Sequence, residues 1–330
     1  MEKYYITTPI YYVNDKPHIG HAYTTILADT ISRFRALIGE KPTFLTGLDE
    51  HGLKVQQAAE KNGKAPQDHC DSMAPAFVDL WKKLNINYSD FIRTTEHRHT
   101  KIVQKILTKV HESGDIYMDE YEGWYSISEE RFITEKELDS GQFGQVKQIK
   151  EKNYFFRMSK YQATLIDKIE KDELLIQPKS RKNEVLGFLK NKLSDLCISR
   201  PKSRLEWGIE LPFDDNYVTY VWFDALINYI SAIGAYSNDE QFSSLWPADV
   251  HLIGKDILTT HSVYWPTMLL SLGLPLPERI FAHGWWLTDD QKMSKSLGNV
   301  VSPLMLIDDF GVDSVRYYLI SYRINSEVIY

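Results

Sequence analysis

Stretches that read as strand and as helix alternate at both ends of this chain and break off in the middle. That rhythm restricts the fold more than any single residue does. Lys3-Tyr4-Tyr5-Ile6-Thr7-Thr8 is aromatic and β-branched, the composition of a buried strand, with Pro9 placed to end its ladder. After the loop Asn14-Asp15-Lys16-Pro17, apolar residues recur from Ile19 at Ala22, Ile26, Leu27, Ile31, Phe34 and Leu37. This is a helical period, with Gly39 positioned to cap it and Pro42 beyond. A strand at Thr43 to Gly47 comes next, then helices across Gln56 to Leu84 and Thr100 to His111. Near Gly114 the texture changes to short aromatic strands, Ile116-Tyr117-Met118 and Glu122-Gly123-Trp124-Tyr125, and then to helical patterns as far as about Leu196. Alternation resumes at Tyr217 to Phe223, Asp249 to Gly254 and Arg279 to His283. The alternation predicts an α/β fold, a doubly wound parallel sheet of Rossmann-like type, and the interruption predicts a second unit inserted into it. The expected divisions are 1–113 and 217–290 for the two halves of the sheet domain, 114–216 for the insert and 291–330 for a last, C-terminal segment.

At 330 residues the chain exceeds the usual core of one domain, which fits such a split. Hydrophobic content of 43% and charged content of 25% are ordinary for a globular protein. No stretch approaches the ~20 apolar residues of a membrane span, and no signal peptide is visible. Cys70 and Cys197 are the only cysteines and make no disulfide framework, so a reducing compartment, the cytoplasm, is expected. The net charge of −7 argues against gross attraction to nucleic acid, although a local basic face would suffice for binding. Lys179, Arg181, Lys182, Lys190, Lys192, Arg200, Lys202 and Arg204 supply one such face, and read equally well as a solvated helix surface.

Two short clusters carry the chemistry. His18-Ile19-Gly20-His21 falls in the first turn of the predicted helix, where unpaired backbone N–H groups and the positive end of the helix dipole suit an anion. Two imidazoles three residues apart share a helical face, while Gly20 removes a side chain that would obstruct a nucleotide. Far along the chain, Arg279 to His283 and Trp285 to Thr288 read as strands and Asp289-Asp290-Gln291 as a turn. Lys292-Met293-Ser294-Lys295-Ser296 then forms a polar loop without apolar period, able to move and to carry charge. One cluster at a helix start and another on a loop suit the two ends of a polyphosphate.

The pair resembles the motifs of class I aminoacyl-tRNA synthetases. Further stretches narrow the resemblance to the methionyl-tRNA synthetase family: Thr7-Thr8-Pro9-Ile10-Tyr11-Tyr12, Thr46-Gly47-Leu48-Asp49-Glu50-His51-Gly52, Asn153-Tyr154-Phe155-Phe156, Tyr220-Val221-Trp222-Phe223-Asp224-Ala225 and Ile253-Gly254-Lys255-Asp256-Ile257. It runs from Tyr4 to Leu319 and implies ATP-dependent activation of methionine, followed by its transfer to tRNA. It implies ATP with Mg²⁺, methionine and methionine-accepting tRNA, the initiator included, as partners, with no membrane and no protein partner. On this resemblance His18 and His21 donate to the phosphates, and Lys292 and Lys295 hold the departing pyrophosphate. Gly20, Ser294, Gly254 and Asp256 complete the ATP site, the last two beyond the carboxyl end of a strand, where ribose would bind. The matching methionine positions are Ile10, Tyr12, Trp222, Ala225, Tyr229, Ile257 and His261, with Asp49 set to meet the substrate ammonium.

The family often carries a zinc knuckle built from cysteine pairs. The matching stretch here is Ser126-Ile127-Ser128-Glu129, and no Cys-x-x-Cys occurs, so no zinc and no other resident metal is expected. Leu304 to Phe310 and Val312 to Ser321 read as helices resembling the start of the family's stem-contact region. The helical anticodon-binding domain that normally comes after it is not among these 330 residues, so they are expected to activate methionine but to charge tRNA poorly. Two other readings compete: another nucleotidyl transferase or synthetase for a different apolar amino acid, and a catalytically silent tRNA-binding paralogue. Trp222-Phe223-Asp224-Ala225 and the lack of a large editing insert favour methionine, and both phosphate clusters are intact.

Overall fold

Tyr4, Tyr5, Ile6, Thr7 and Thr8 build the strand β1 (Lys3–Tyr12), which runs on through Pro9. Its pairing with β2 (Lys41–Asp49) shifts register between Thr7 and Ile10, an irregularity that accommodates a residue without an N–H. The proline interrupts the ladder without ending it. The computed structural model describes residues 2–126, 131–133, 138, 145–288, 291–292, 301–321 and 328–329.

Between these strands lies α1 (Ile19–Leu37). α2 (Leu53–Lys61), α3 (Pro66–Lys83), β3 (Asp90–Arg93) and α4 (His97–Glu112) complete the first half. The helical stretch expected across Gln56 to Leu84 divides into α2 and α3 where Asn62-Gly63-Lys64 turns the chain, with Gly63 at φ +62°. An antiparallel sheet comes next, of β4 (Ile116–Ser126), β5 (Arg131–Ile133), β6 (Val146–Phe156) and, after α5 (Gln162–Glu170), β7 (Leu175–Gln177) and α6 (Lys179–Leu189), β8 (Leu196–Cys197). β7 is not part of that sheet. A second small sheet holds β9 (Ser199–Pro201), β10 (Glu210–Leu211) and β11 (Asp214–Thr219). The second half then supplies α7 (Val221–Leu226), α8 (Asn228–Ser231), α9 (Asp239–Leu245), β12 (Val250–Gly254), α10 (Trp265–Leu272) and β13 (Arg279–His283). β14 (Trp286–Thr288) pairs antiparallel with β15 (Gln291–Lys292) and parallel with β16 (Val328–Ile329) in a separate three-stranded sheet, with α11 (Pro303–Phe310) and α12 (Val312–Ser321) between β15 and β16 in sequence.

The main sheet is six-stranded and parallel, in the order β3-β2-β1-β12-β13-β7. The first half builds outward from β1 in one direction and the second from β12 in the other. Their junction is a topological switch point, where a crevice opens beyond the carboxyl ends of the strands. The edge strand β7 comes from the 114–216 stretch and pairs with β13, Ile176 lying opposite Ile280. The stretch between the two halves therefore also contributes to the sheet.

Alternation along the strands sorts side chains onto two cores. Tyr5, Leu45, Ile92, Ile253 and Ile280 face one core, packed on α4 and α10 through Ile106, Val110, Met268 and Leu269. Tyr4, Ile6, Phe44, Leu48, Val250 and Leu252 face the other, with Ile26 of α1 and Phe77 and Trp81 of α3. Each such fully buried side chain contributes about 1.5–3 kcal/mol, which fixes the strand ends that frame the crevice. No helix among the described residues is long and apolar enough to cross a membrane.

Candidate active site

A cleft of about 400 Å³ opens at the switch point. One wall is the start of α1, capped by imidazoles where a serine, threonine or aspartate is usual. His18 has extended backbone (φ −123°, ψ 178°), and its Nδ1 accepts the Gly20 N–H at 3.1 Å. His21 Nδ1 in turn accepts the His18 N–H at 3.1 Å, closing a capping box made of two histidines. With Nδ1 used as an acceptor in both rings, the ring proton sits on Nε2, the donor position. The rings stack with centroids 3.8 Å apart. Two N–H donors beside a helix N-terminus make a surface for phosphate oxygens. Tyr11 meets His21 edge-on at 4.8 Å, and burial pushes its phenol up to about 12.

Gly20 has a second reason to lack a side chain. A Cβ there would stand 3.0 Å from His18 Cε1, so the residue also makes room for the capping ring. Gly254, the last residue of β12, is similar: a Cβ would lie 2.6 Å from Asp256 Oδ1. That oxygen accepts the Trp285 indole N–H at 3.2 Å, and Lys255 Nζ sits 4.0 Å from the centre of the Trp285 ring. Across the cleft, His283 ends β13. Its Nδ1–H donates to the Gly284 carbonyl at 2.7 Å, which leaves Nε2 to accept from the Thr24 hydroxyl at 2.8 Å. Burial lowers the pKa of this imidazole and keeps it neutral.

The remaining wall is aromatic. Trp222 and Ala225 of α7 and Tyr229 of α8 line the cleft together with Ile10, Tyr12 and Ile257. His261 Nδ1–H donates to the Ile257 carbonyl at 2.9 Å, so its Nε2 accepts the Tyr229 hydroxyl at 2.7 Å. Burial holds His261 down to about 4 and raises the Tyr229 phenol, so both are neutral at physiological pH. Tyr5 supports this wall from the core, its hydroxyl donating to the Tyr229 carbonyl at 2.7 Å. Asp49, at the end of β2 and only 5% exposed, lines the cleft near this aromatic wall.

His18, Gly20, His21, Gly254 and Asp256 thus share one cavity with Ile10, Tyr12, Asp49, Trp222, Ala225, Tyr229, Ile257 and His261. The late cluster is described only at its first residue. The backbone of Lys292 in β15 pairs with Leu287, the residue after the cleft-lining Trp286, while Ser294 and Lys295 lie outside the described residues. Sequence reasoning missed Thr24, Tyr11, Asn228, His283 and Trp285 as cleft residues. His283 carried a usable signal, since it ends a parallel strand on the ligand side of such a sheet. Thr24 did not, because its partner is 259 positions away in sequence.

The proposed basic face looks different in three dimensions. Arg200 is 2% exposed and stacks 3.9 Å from the centre of the Tyr220 ring, so it is a core residue and not part of a surface. Arg181, Lys182, Lys202 and Arg204 pair with Glu184, Asp172, Glu210 and Glu151. In the zinc-knuckle position, Ser126 ends β4, and 127–129 lie outside the described residues.

A family model described as tRNA synthetases class I (M) matches residues 4–142 and 139–328. The chain belongs to the class I (M) tRNA synthetases. It is 53% identical over 323 residues to the methionine–tRNA ligase of Clostridium tetani and 49% identical over 336 residues to that of Bacillus subtilis. Each match covers 96% of this chain and 50% of the relative, so the chain spans about half the length of these enzymes. Among solved structures, Mycobacterium tuberculosis methionyl-tRNA synthetase in complex with methionyl-adenylate aligns with a TM-score of 0.95 at 42% identity, covering 100% of this chain and 66% of that one. The apo form of the same synthetase aligns at 0.81 and 38% identity, covering 100% and 64%. The family's parallel sheet and its crevice are therefore those described above.

Proposed function

We propose that this chain activates methionine with ATP to methionyl-adenylate and transfers the methionyl group to methionine-accepting tRNA, including the initiator, in the cytoplasm. The observation that carries this reading is the single cleft. It sets imidazole donors at a helix N-terminus in the same cavity as an aromatic wall and the Asp49 carboxylate. The likeness, over the whole of this chain, to a methionyl-tRNA synthetase solved with methionyl-adenylate supports it.

In the first step a carboxylate oxygen of methionine forms a bond to the α-phosphorus while the bond to the bridging oxygen breaks, and pyrophosphate leaves. The nucleophile is already ionised at neutral pH, so no general base is required. Catalysis is placement and stabilisation of charge. His18 and His21 donate from Nε2 to oxygens that gain charge, and Asp256 faces the nucleotide's ribose. Lys292 and Lys295 would meet the leaving pyrophosphate. Mg²⁺ would come with ATP as part of the substrate and offset some of its charge. The cleft's phosphate side offers N–H donors, which suit phosphate oxygens, and among the described residues no group of three or more His, Cys, Asp or Glu could hold a metal ion. In the second step a ribose hydroxyl of the tRNA's terminal adenosine attacks the carbonyl and AMP leaves.

Asp49 would pair with the substrate ammonium, while Trp222, Tyr229, Ala225, Ile10, Tyr12, Ile257 and His261 enclose the thioether. Neutral Tyr229 and His261 suit a weakly accepting sulfur better than charged groups would. The test is ATP–pyrophosphate exchange with a panel of amino acids. Methionine should support exchange well above leucine, isoleucine or valine, and a chain that exchanges with none of them would overturn the proposal.

A further inference from the structure

Behind the aromatic wall runs a buried polar chain that takes no part in the proposed chemistry. Asp224 is wholly buried in α7, and its two oxygens accept from different partners: His51 Nδ1–H at 2.6 Å and His99 Nε2–H at 2.7 Å. His99, on α4, meets the Ser231 hydroxyl through Nδ1 at 2.7 Å. Burial alone would raise the carboxyl's pKa, yet the two imidazoles hold it down to about 2. A buried carboxylate persists only where hydrogen bonds replace its water. That accounts for the cluster as core chemistry.

Its ends give it a further consequence. Asp224 is two positions from Trp222, which at helical spacing puts the carboxylate on the side of α7 away from the cleft, while Ala225 shares the cleft side with Trp222. His51 is two residues beyond Asp49, on the segment leaving β2. The bridge therefore ties the element carrying the aromatic wall to the segment carrying the cleft carboxylate. The second oxygen of Asp224 is anchored to α4, so the carboxylate has a fixed seat. His51 lies outside the cleft lining and is packed on the Trp207 ring at 5.4 Å.

We infer that His51 and Asp224 are a positioning pair that sets the span between Asp49 and the Trp222–Ala225 wall, and so the length of amino acid the slot accepts. This rests on the methionine-activating reading above. Because the pair touches neither substrate, its loss should act on the amino acid far more than on ATP.

The experiment compares His51→Asn, whose amide N–H occupies the place of Nδ1, with His51→Gln and His51→Leu, in methionine-dependent pyrophosphate exchange. Leu and Gln should each raise the methionine KM at least tenfold while the ATP KM stays within about twofold, and Asn should restore most of the loss. Should the leucine variant fail to fold, the Asn and Gln pair carries the test, because both are neutral amides that differ in where the N–H is placed. Methionine binding read from tryptophan fluorescence should follow the same order. Equal effects on both substrates, or Asn and Gln behaving alike, would overturn the inference and leave methionine activation standing. A wild-type chain without exchange for any amino acid would overturn the reading and the inference with it.

Discussion

At the scale of the residue, the first cluster joins two roles that can be separated. His18 caps α1 and faces the cleft. His18→Asn keeps a good cap, so its unfolding free energy should stay within about 1 kcal/mol of wild type while pyrophosphate exchange falls. Equal activity in that variant would reduce His18 to a cap. His21→Ala removes a preorganised donor worth roughly 2.7–4 kcal/mol, and should slow adenylation on the order of a hundredfold or more. Single-turnover rates at saturating substrates check it. Trp222→Ala opens the thioether slot and should raise the methionine KM far more than the ATP KM, and a parallel rise in both would count against the assignment. These residues were legible because each chemistry needs its own side-chain type in a short window. The capping box was not legible, since a histidine accepting at an N-cap shows only when its ring orientation is known.

Elements show where local rules yielded to their surroundings. Pro9 looked like the end of a strand, but pairing on both flanks carries β1 through it to Tyr12 and delivers Ile10 and Tyr12 to the cleft. The pairing of β14 with β15 brings the backbone of Lys292 beside a cleft element, an association set by pairing and not by the polar sequence of that segment. The strands β12 and β13 and the helical segment between them also bury imidazoles. His251, His261 and His283 all have lowered pKa values because burial disfavours their charged form, His261 down to about 4. The unfolded chain takes up protons near the ordinary histidine value of about 6.5, so below that pH it binds more protons than the folded one. Stability is therefore full above about pH 6.5 and falls as pH drops toward 4, His261 alone accounting for about 3 kcal/mol. Asp224, depressed to about 2, adds a loss below about pH 4, as acid reaches its carboxylate. Thermal unfolding between pH 7 and 4.5 should show a steady decline that is shallower in His261→Gln. A flat profile would contradict the buried-neutral assignment.

For the whole molecule, the decisive feature is that the cleft is shared by both halves of the sheet. His18, His21, Ile10, Tyr12 and Asp49 come from the first half, and Trp222, Tyr229, Gly254, His261 and His283 from the second. A ligand filling it should tie the halves together. A non-hydrolysable methionyl-adenylate analogue at about 100 times its Kd should add about 2.7 kcal/mol to the unfolding free energy, seen as a rise in Tm. Adenosine or methionine alone should add less, and an analogue that leaves Tm unchanged would place the ligand elsewhere. An apolar slot separates substrates differing by one methylene by only about 10 to 200-fold, so homocysteine should also support measurable exchange.

By itself the sequence determined the alternating α/β plan and named most of the residues that line the cleft, because periodicity and side-chain chemistry are written in windows of a few residues. Only the tertiary structure decided that β7 completes the sheet from within the intervening stretch, that Arg200 belongs to a core, and that Thr24 meets His283 and Asp224 meets His51. Those facts depend on which distant segments the two cores bring together. A contact across more than a hundred residues leaves no trace in the composition of either partner.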